Sequence, residues 1–180
     1  QGWALGAMAS LPHITVAGAI ATGTHGSGDA AGSLASAVTA LDVVRADGSL
    51  VTLRRGDDDF PGAVVALGAL GVVTRVELEV EPRYDMTQIV DRGLPWHSAL
   101  ADLDAVMGSA DSVSLFTTWT DVERVDQVWR KTRGTVAPGL LPGAALASQP
   151  GHPLDGEPAE NCTDQTGAPG PWHERLPHFR

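Results

Sequence analysis

No Asp, Glu, Lys or Arg occurs in the first 28 residues of this chain. The stretch is built of small residues, and glycines recur at Gly18, Gly23, Gly26 and Gly28. Glycine permits positive φ and lets another group approach bare backbone. With side chains this small, main-chain N–H groups are the main polar surface on offer, and they suit the phosphates or ring edges of a ligand. The competing reading of the same residues is a Gly/Ala-rich strand and turn buried in an ordinary core. Either way, charge has to be carried elsewhere.

The whole chain has 180 residues, 43% of them hydrophobic, and a formal net charge of −10. That is enough for one domain, or one domain and the start of another, with a real core. The acidity argues against a nucleic-acid partner, since neutralising phosphates takes clustered Lys and Arg. Cys162 is the single cysteine, so an internal disulfide and a Cys-based metal cluster are both excluded. No spacing such as H-E-x-x-H suggests a metal site, and no G-x-S-x-G elbow suggests a serine hydrolase. No apolar run reaches the roughly 20 residues of a membrane span. The expected location is cytoplasmic.

Periodicity and turn chemistry predict the elements. Ile14, Val16 and Ile20 among small residues predict a buried strand over 13–21, and glycine spacing predicts a loop over 23–28. An alanine-rich segment at 33–40 predicts one or two helical turns. Asp47-Gly48 between β-branched runs predicts a hairpin over 41–54 with both central residues at positive φ. Acidic residues, a proline and a trailing Gly68 predict a helix over 57–67. Over 72–81, Val72, Val76, Leu78 and Val80 alternate with charged residues, which predicts a strand with that apolar set inward. A boundary is expected near 82–86, giving one unit over 1–84 and a second over 85–180. An amphipathic helix is expected over 94–107, with Leu100, Leu103, Val106 and Met107 on one face. Strands are expected at 112–119 and 126–132, and a Pro/Gly-rich loop over 133–160. No terminal structure is expected after residue 171.

Gly26-Ser-Gly-Asp-Ala-Ala31 fits the loose dinucleotide pattern G-x-G-x-x-A, and Asp47 follows about twenty residues on. A nicotinamide-dependent dehydrogenase is therefore one alternative. Against it, Asp29 puts a negative charge beside the supposed pyrophosphate, and the strands that follow look antiparallel. A non-catalytic folded remnant is another alternative.

Residues 8–28, Met-Ala-Ser-Leu-Pro-His-Ile-Thr-Val-Ala-Gly-Ala-Ile-Ala-Thr-Gly-Thr-His-Gly-Ser-Gly, resemble the second half of the FAD-binding domain of the vanillyl-alcohol oxidase superfamily. Within that superfamily they resemble the bacterial alditol oxidases and the related sugar-lactone oxidases. Gly68-Ala-Leu-Gly-Val-Val-Thr74, Ser112-Val-Ser-Leu-Phe116 and the segments at 161–165 and 170–179 extend the likeness. It implies an α+β fold: the second half of a PCMH-type FAD-binding domain, mostly antiparallel sheet with flanking helices, followed by the start of an α+β substrate domain.

The resemblance also implies FAD as cofactor and oxidation of a polyol such as xylitol or sorbitol, or of a sugar lactone. Molecular oxygen would be the acceptor and hydrogen peroxide the product. Residues 18–21 (Gly18, Ala19, Ile20, Ala21) would wrap the cofactor with backbone. Ser10 and Thr15 would bring hydroxyls to the flavin, Ser10 touching substrate as well. Thr22, His25 and Ser27 would be neighbours of the cofactor, and Val72 and Val73 would return to it through backbone groups. Ala9 would hold the position whose size governs oxygen access. The flavin-attaching histidine and the acidic and basic substrate residues of the family have no counterpart here. The chain is thus expected to be an internal, inactive fragment whose catalytic base lies elsewhere.

Overall fold

The computed structural model describes residues 2–135, 137–139 and 141–180. In chain order the strands are β1 (Trp3–Ala4), β2 (Val38–Val44), β3 (Leu50–Arg54), β4 (Val72–Leu78), β5 (Glu81–Pro82), β6 (Asp85–Pro95), β7 (Ser112–Phe116), β8 (Arg124–Arg133), β9 (Ala145–Leu146) and β10 (Gly170–Pro171). The helices are α1 (Val16–Ala21), α2 (Phe60–Val64), α3 (Trp96–Ala101), α4 (Leu103–Met107) and α5 (Trp172–Arg175), with 3-10 turns at Leu34–Ala37 and Ala159–Asn161. Strands pair antiparallel as β3-β2-β4, as β10-β6-β8-β7 with β9 also on β6, and as the short pair β1-β5. An α+β chain of mostly antiparallel sheet with few helices is what the resemblance implies.

The first sheet packs on α1, α2 and the Leu34–Ala37 turn around Ile20, Leu34, Val38, Leu41, Val43, Phe60 and Val64. Helix α1 replaces the strand expected over 13–21. Thr15 is extended and its Oγ1 accepts from the Gly18 amide at 3.1 Å, so it caps a helix of small residues. The hairpin of β2 and β3 forms, but only Gly48 takes positive φ. The Asp47 carboxylate accepts from the Ser49 amide at 2.9 Å, an Asx turn in place of the expected two-residue turn. Helix α2 is only five residues long, short of the expected span: Val65 leaves helical geometry at φ −108° and ψ 69°, and Leu67 and Gly68 follow at positive φ.

Strand β4 carries a bulge. Its register on β2 runs from Asp42↔Arg75 to Val43↔Val73, leaving Thr74 extra. The inward set is therefore Val73, Val76 and Leu78, while Val72 and Val80 are 68% and 46% exposed. An extra residue in a period-2 strand swaps faces beyond it, which corrects the expected alternation.

In the second sheet β6 lies between β10 and β8 and is buried on both faces over Met86–Asp91. Gln88 donates to the Asp164 carbonyl at 2.9 Å, and Asp91 takes the Arg130 Nε at 2.7 Å with both side chains buried. The helix expected over 94–107 is two helices broken at Asp102, whose side chain caps α4 by accepting from the Ala105 amide at 3.0 Å. Ala99 and Val106 face the core there, and Leu100 and Leu103 are exposed instead. The last residues are structured, through β10 and α5, contrary to expectation.

Candidate functional site

Side chains of a strand alternate, so Ser112 and Ser114 of β7 share one face. Opposite them on β8 stand Lys131 and Trp129, paired Ser112↔Lys131 and Ser114↔Trp129. This face receives two segments distant in sequence, one from residues 10–28 and one from residues 176–180. Ser27 Oγ lies 2.8 Å from Ser112 Oγ and accepts from Ser114 Oγ at 2.7 Å. His178 Nε2 lies 2.9 Å from Ser114 Oγ, and its Nδ1 lies 2.8 Å from Ser10 Oγ. The result is a continuous hydrogen-bonded chain from Ser112 through Ser27, Ser114 and His178 to Ser10.

Beneath it, Lys131 donates to the carbonyls of Leu176 and Pro177 at 2.5 and 2.8 Å. Burial holds the Lys131 amine well below its usual pKa. Burial also pushes His178 down to about 3, with the Lys131 charge adding to the effect. His178 is therefore a neutral ring at ordinary pH. Phe116 meets it edge-on at 5.4 Å and Trp129 packs at 5.4 Å, so the polar chain runs through an aromatic surround.

The residues singled out from sequence divide into groups. Ser10 and Ser27 lie in this chain of hydroxyls, and Ala9 is buried beside Ser10 in sequence. Gly18, Ile20, Ala21 and Val73 line a mainly apolar hollow of about 250 Å³ between α1 and the first sheet. Ala19 is buried in the core, so its side chain faces protein. Thr15 and Thr22 close the two ends of α1, Thr22 Oγ1 donating to the Gly18 carbonyl at 2.9 Å. His25 bonds the neighbouring Gly26 carbonyl at 2.8 Å. Val72 is exposed at the end of β4. Ser112, Ser114, Lys131 and His178 were not predicted as site residues. The Ser-x-Ser spacing on a strand was the one available signal for the first two; nothing local marks His178.

Residues 11–18 are all exposed, with Leu11, Ile14 and Val16 at 52%, 44% and 50%. An uncharged, apolar, small-residue surface of this kind fits the face of a large aromatic ring system. The dinucleotide pattern at 26–31 does not build a βαβ unit. A Cβ at Gly28 would press into the Asp111 carbonyl, so that glycine makes room for β7's approach. No helix begins there until the four-residue 3-10 turn at Leu34, and β2 is antiparallel to both of its neighbours.

Residues 1–54 match the family model described as FAD binding domain. The first 54 residues thus carry the sequence pattern of this FAD-binding family. The flavoprotein chain is 50% identical over 180 residues to an alditol oxidase of Streptomyces sp., all of this chain against 43% of that protein. It is 36% identical over 90 residues to the L-gulonolactone oxidase of Mus musculus, 49% of this chain and 20% of that protein. The chain thus spans less than half the length of either relative. A cholesterol oxidase from Brevibacterium sterolicum shares its fold, with a TM-score of 0.60, 20% identity, and coverage of 70% of this chain and 27% of that one. Among the described residues no helix is long and apolar enough to cross a membrane.

Proposed function

We propose that this flavoprotein oxidises the CH–OH group of a small polyol, a sugar alcohol such as xylitol or sorbitol or else a sugar lactone, passing electrons to molecular oxygen. The observation that carries the reading is the eight-residue exposed run 11–18, uncharged, which follows Ser10 and includes the first three residues of α1. The 50% identity over all 180 residues, which align with 43% of an alditol oxidase, supports the substrate class.

FAD, when bound, supplies the hydride acceptor. The residues of this chain bind and orient. Leu11 to Thr15 and the exposed start of α1, Val16 to Gly18, offer the ring surface with small side chains and accessible main chain. Ser10 supplies a hydroxyl for the substrate, and Ala9 leaves room near the reacting face for oxygen. Thr15 and Thr22 act through the shape of α1, which they cap. Ala19, His25, Ser27, Val72 and Val73 then serve the cofactor through backbone or through neighbours. The same reading draws the catalytic base from outside residues 1–180, places the protein in the cytoplasm, and has this chain alone inactive.

The test is the FAD-loaded full-length protein in air with xylitol, sorbitol and a sugar lactone, peroxide being measured against substrate consumed. One peroxide per substrate is expected. Turnover that requires an artificial electron acceptor, with no peroxide, would overturn the assignment of oxygen.

A further inference from the structure

His178 stands where three parts of the chain meet, and the residue is 4% exposed. Its two nitrogens have different partners. Ser114 Oγ donates its proton to Ser27 Oγ at 2.7 Å, so toward His178 the Ser114 oxygen accepts. The ring proton then sits on Nε2, which faces Ser114 at 2.9 Å. Nδ1 is left with a lone pair, and the Ser10 hydroxyl 2.8 Å away donates to it. The backbone holds the same residue: the amides of His178 and Phe179 donate to the Ser10 carbonyl at 3.0 and 3.2 Å. Residues 168 positions apart in sequence thus fix Ser10 at both its carbonyl and its hydroxyl.

We infer that His178 is a positioning residue: as the Nε2–H tautomer its Nδ1 accepts a hydrogen bond from the Ser10 hydroxyl and turns that oxygen's free lone pairs outward, as an acceptor for a hydroxyl of the polyol. The inference rests on the reading of Ser10 as a substrate contact. A ring protonated on both nitrogens would reverse the bond, make Ser10 the acceptor and point its proton outward. The buried surround of Phe116 and Trp129, with Lys131 close by, keeps the ring from gaining that second proton. Ser114 and Ser27 act one step further back, since they select the tautomer.

The experiment uses the full-length FAD-loaded protein and four variants: Ser10→Ala, His178→Gln, His178→Asn and the double variant Ser10→Ala/His178→Gln. A glutamine amide reaches the Nε2 side and abandons Ser10, whereas an asparagine oxygen can take the place of Nδ1. With xylitol as probe, His178→Gln is expected to raise KM about tenfold, with flavin absorbance per protein unchanged. His178→Asn should recover most of that loss. In the Ser10→Ala background, His178→Gln should add less than about twofold, because the hydroxyl it orients is gone.

Long-range nitrogen–proton NMR of labelled histidine gives a readout that needs no turnover. The His178 ring should show Nε2 protonated and Nδ1 bare, and Ser10→Ala should shift the Nδ1 signal. Effects that multiply in the double variant, or a ring protonated at Nδ1, would overturn the inference while leaving Ser10 as a substrate contact. Ser10→Ala with unchanged KM would overturn the reading of Ser10, and the inference with it, even where NMR shows the expected tautomer.

Discussion

A buried histidine with serine hydroxyls for partners and no carboxylate among them is a base that the fold keeps uncharged. For His178 this has a consequence for stability. Its folded pKa, about 3, lies below the ordinary value of 6.5, so between those values the unfolded chain binds a proton that the folded chain does not. Stability from this group is complete above about pH 6.5 and falls as pH drops toward 3, with a slope near 1.4 kcal/mol per pH unit. Denaturant unfolding of the wild-type protein and of His178→Gln from pH 7 to pH 4 should show that slope reduced by about this amount in the variant. Parallel curves for the two proteins would show that His178 does not titrate in this way. The buried Asp91–Arg130 pair sits at the same scale but has a different sensitivity. Removing one partner strands the other, so Asp91→Ala should cost about 3–5 kcal/mol in the same assay. A cost under 1 kcal/mol would mean that water reaches Arg130.

At the scale of elements, the bulge in β4 is fixed by what precedes it. Gly71 enters the strand at φ +138°, and a Cβ there would run into the Val44 carbonyl. Gly71→Ala should therefore lower stability by about 1–3 kcal/mol, measured as a drop in Tm, whereas Gly56→Ala on the open β3–α2 turn, strained but unobstructed, should cost less. An equal loss at both would remove the case for close approach at Gly71.

Elements like this show what sequence can and cannot reveal. The β2–β3 hairpin is legible because Asp47-Gly48 is a local signal, β7 because Val113, Leu115 and Phe116 recur densely, and the centre of β8 through Val128 and Trp129. Strand β6 is hidden because Thr87, Gln88 and Asp91 break its apolar run, and each bonds a partner distant in sequence: Gly134, Asp164 and Arg130. Helix α1 is hidden because Ile14, Val16 and Ile20 read as a strand until the Thr15 cap is seen. For the site, Ser10 is legible through its family likeness alone. His178 is not, because its role depends on residues 176–180 folding back over residues 10–13, and no local pattern encodes that.

Over the whole molecule, the charge-free stretch is divided between three duties. Ala19 and Ile20 fill the first core, Ser10 and Ser27 tie onto the second sheet, and residues 11–18 face outward. The first and last segments of the chain close over one another, with His13 Nε2 2.9 Å from the Arg180 carbonyl as well as the contacts to Ser10. The uncharged run is thereby held on a scaffold with a buried aromatic base, as a ring-binding surface needs to be. Hydrogen–deuterium exchange of the full-length protein with and without FAD tests this most directly. FAD should slow exchange of the amides at 11–18 strongly and leave those of β3, 50–54, unchanged. Protection at 26–31 with none at 11–18 would contradict the account.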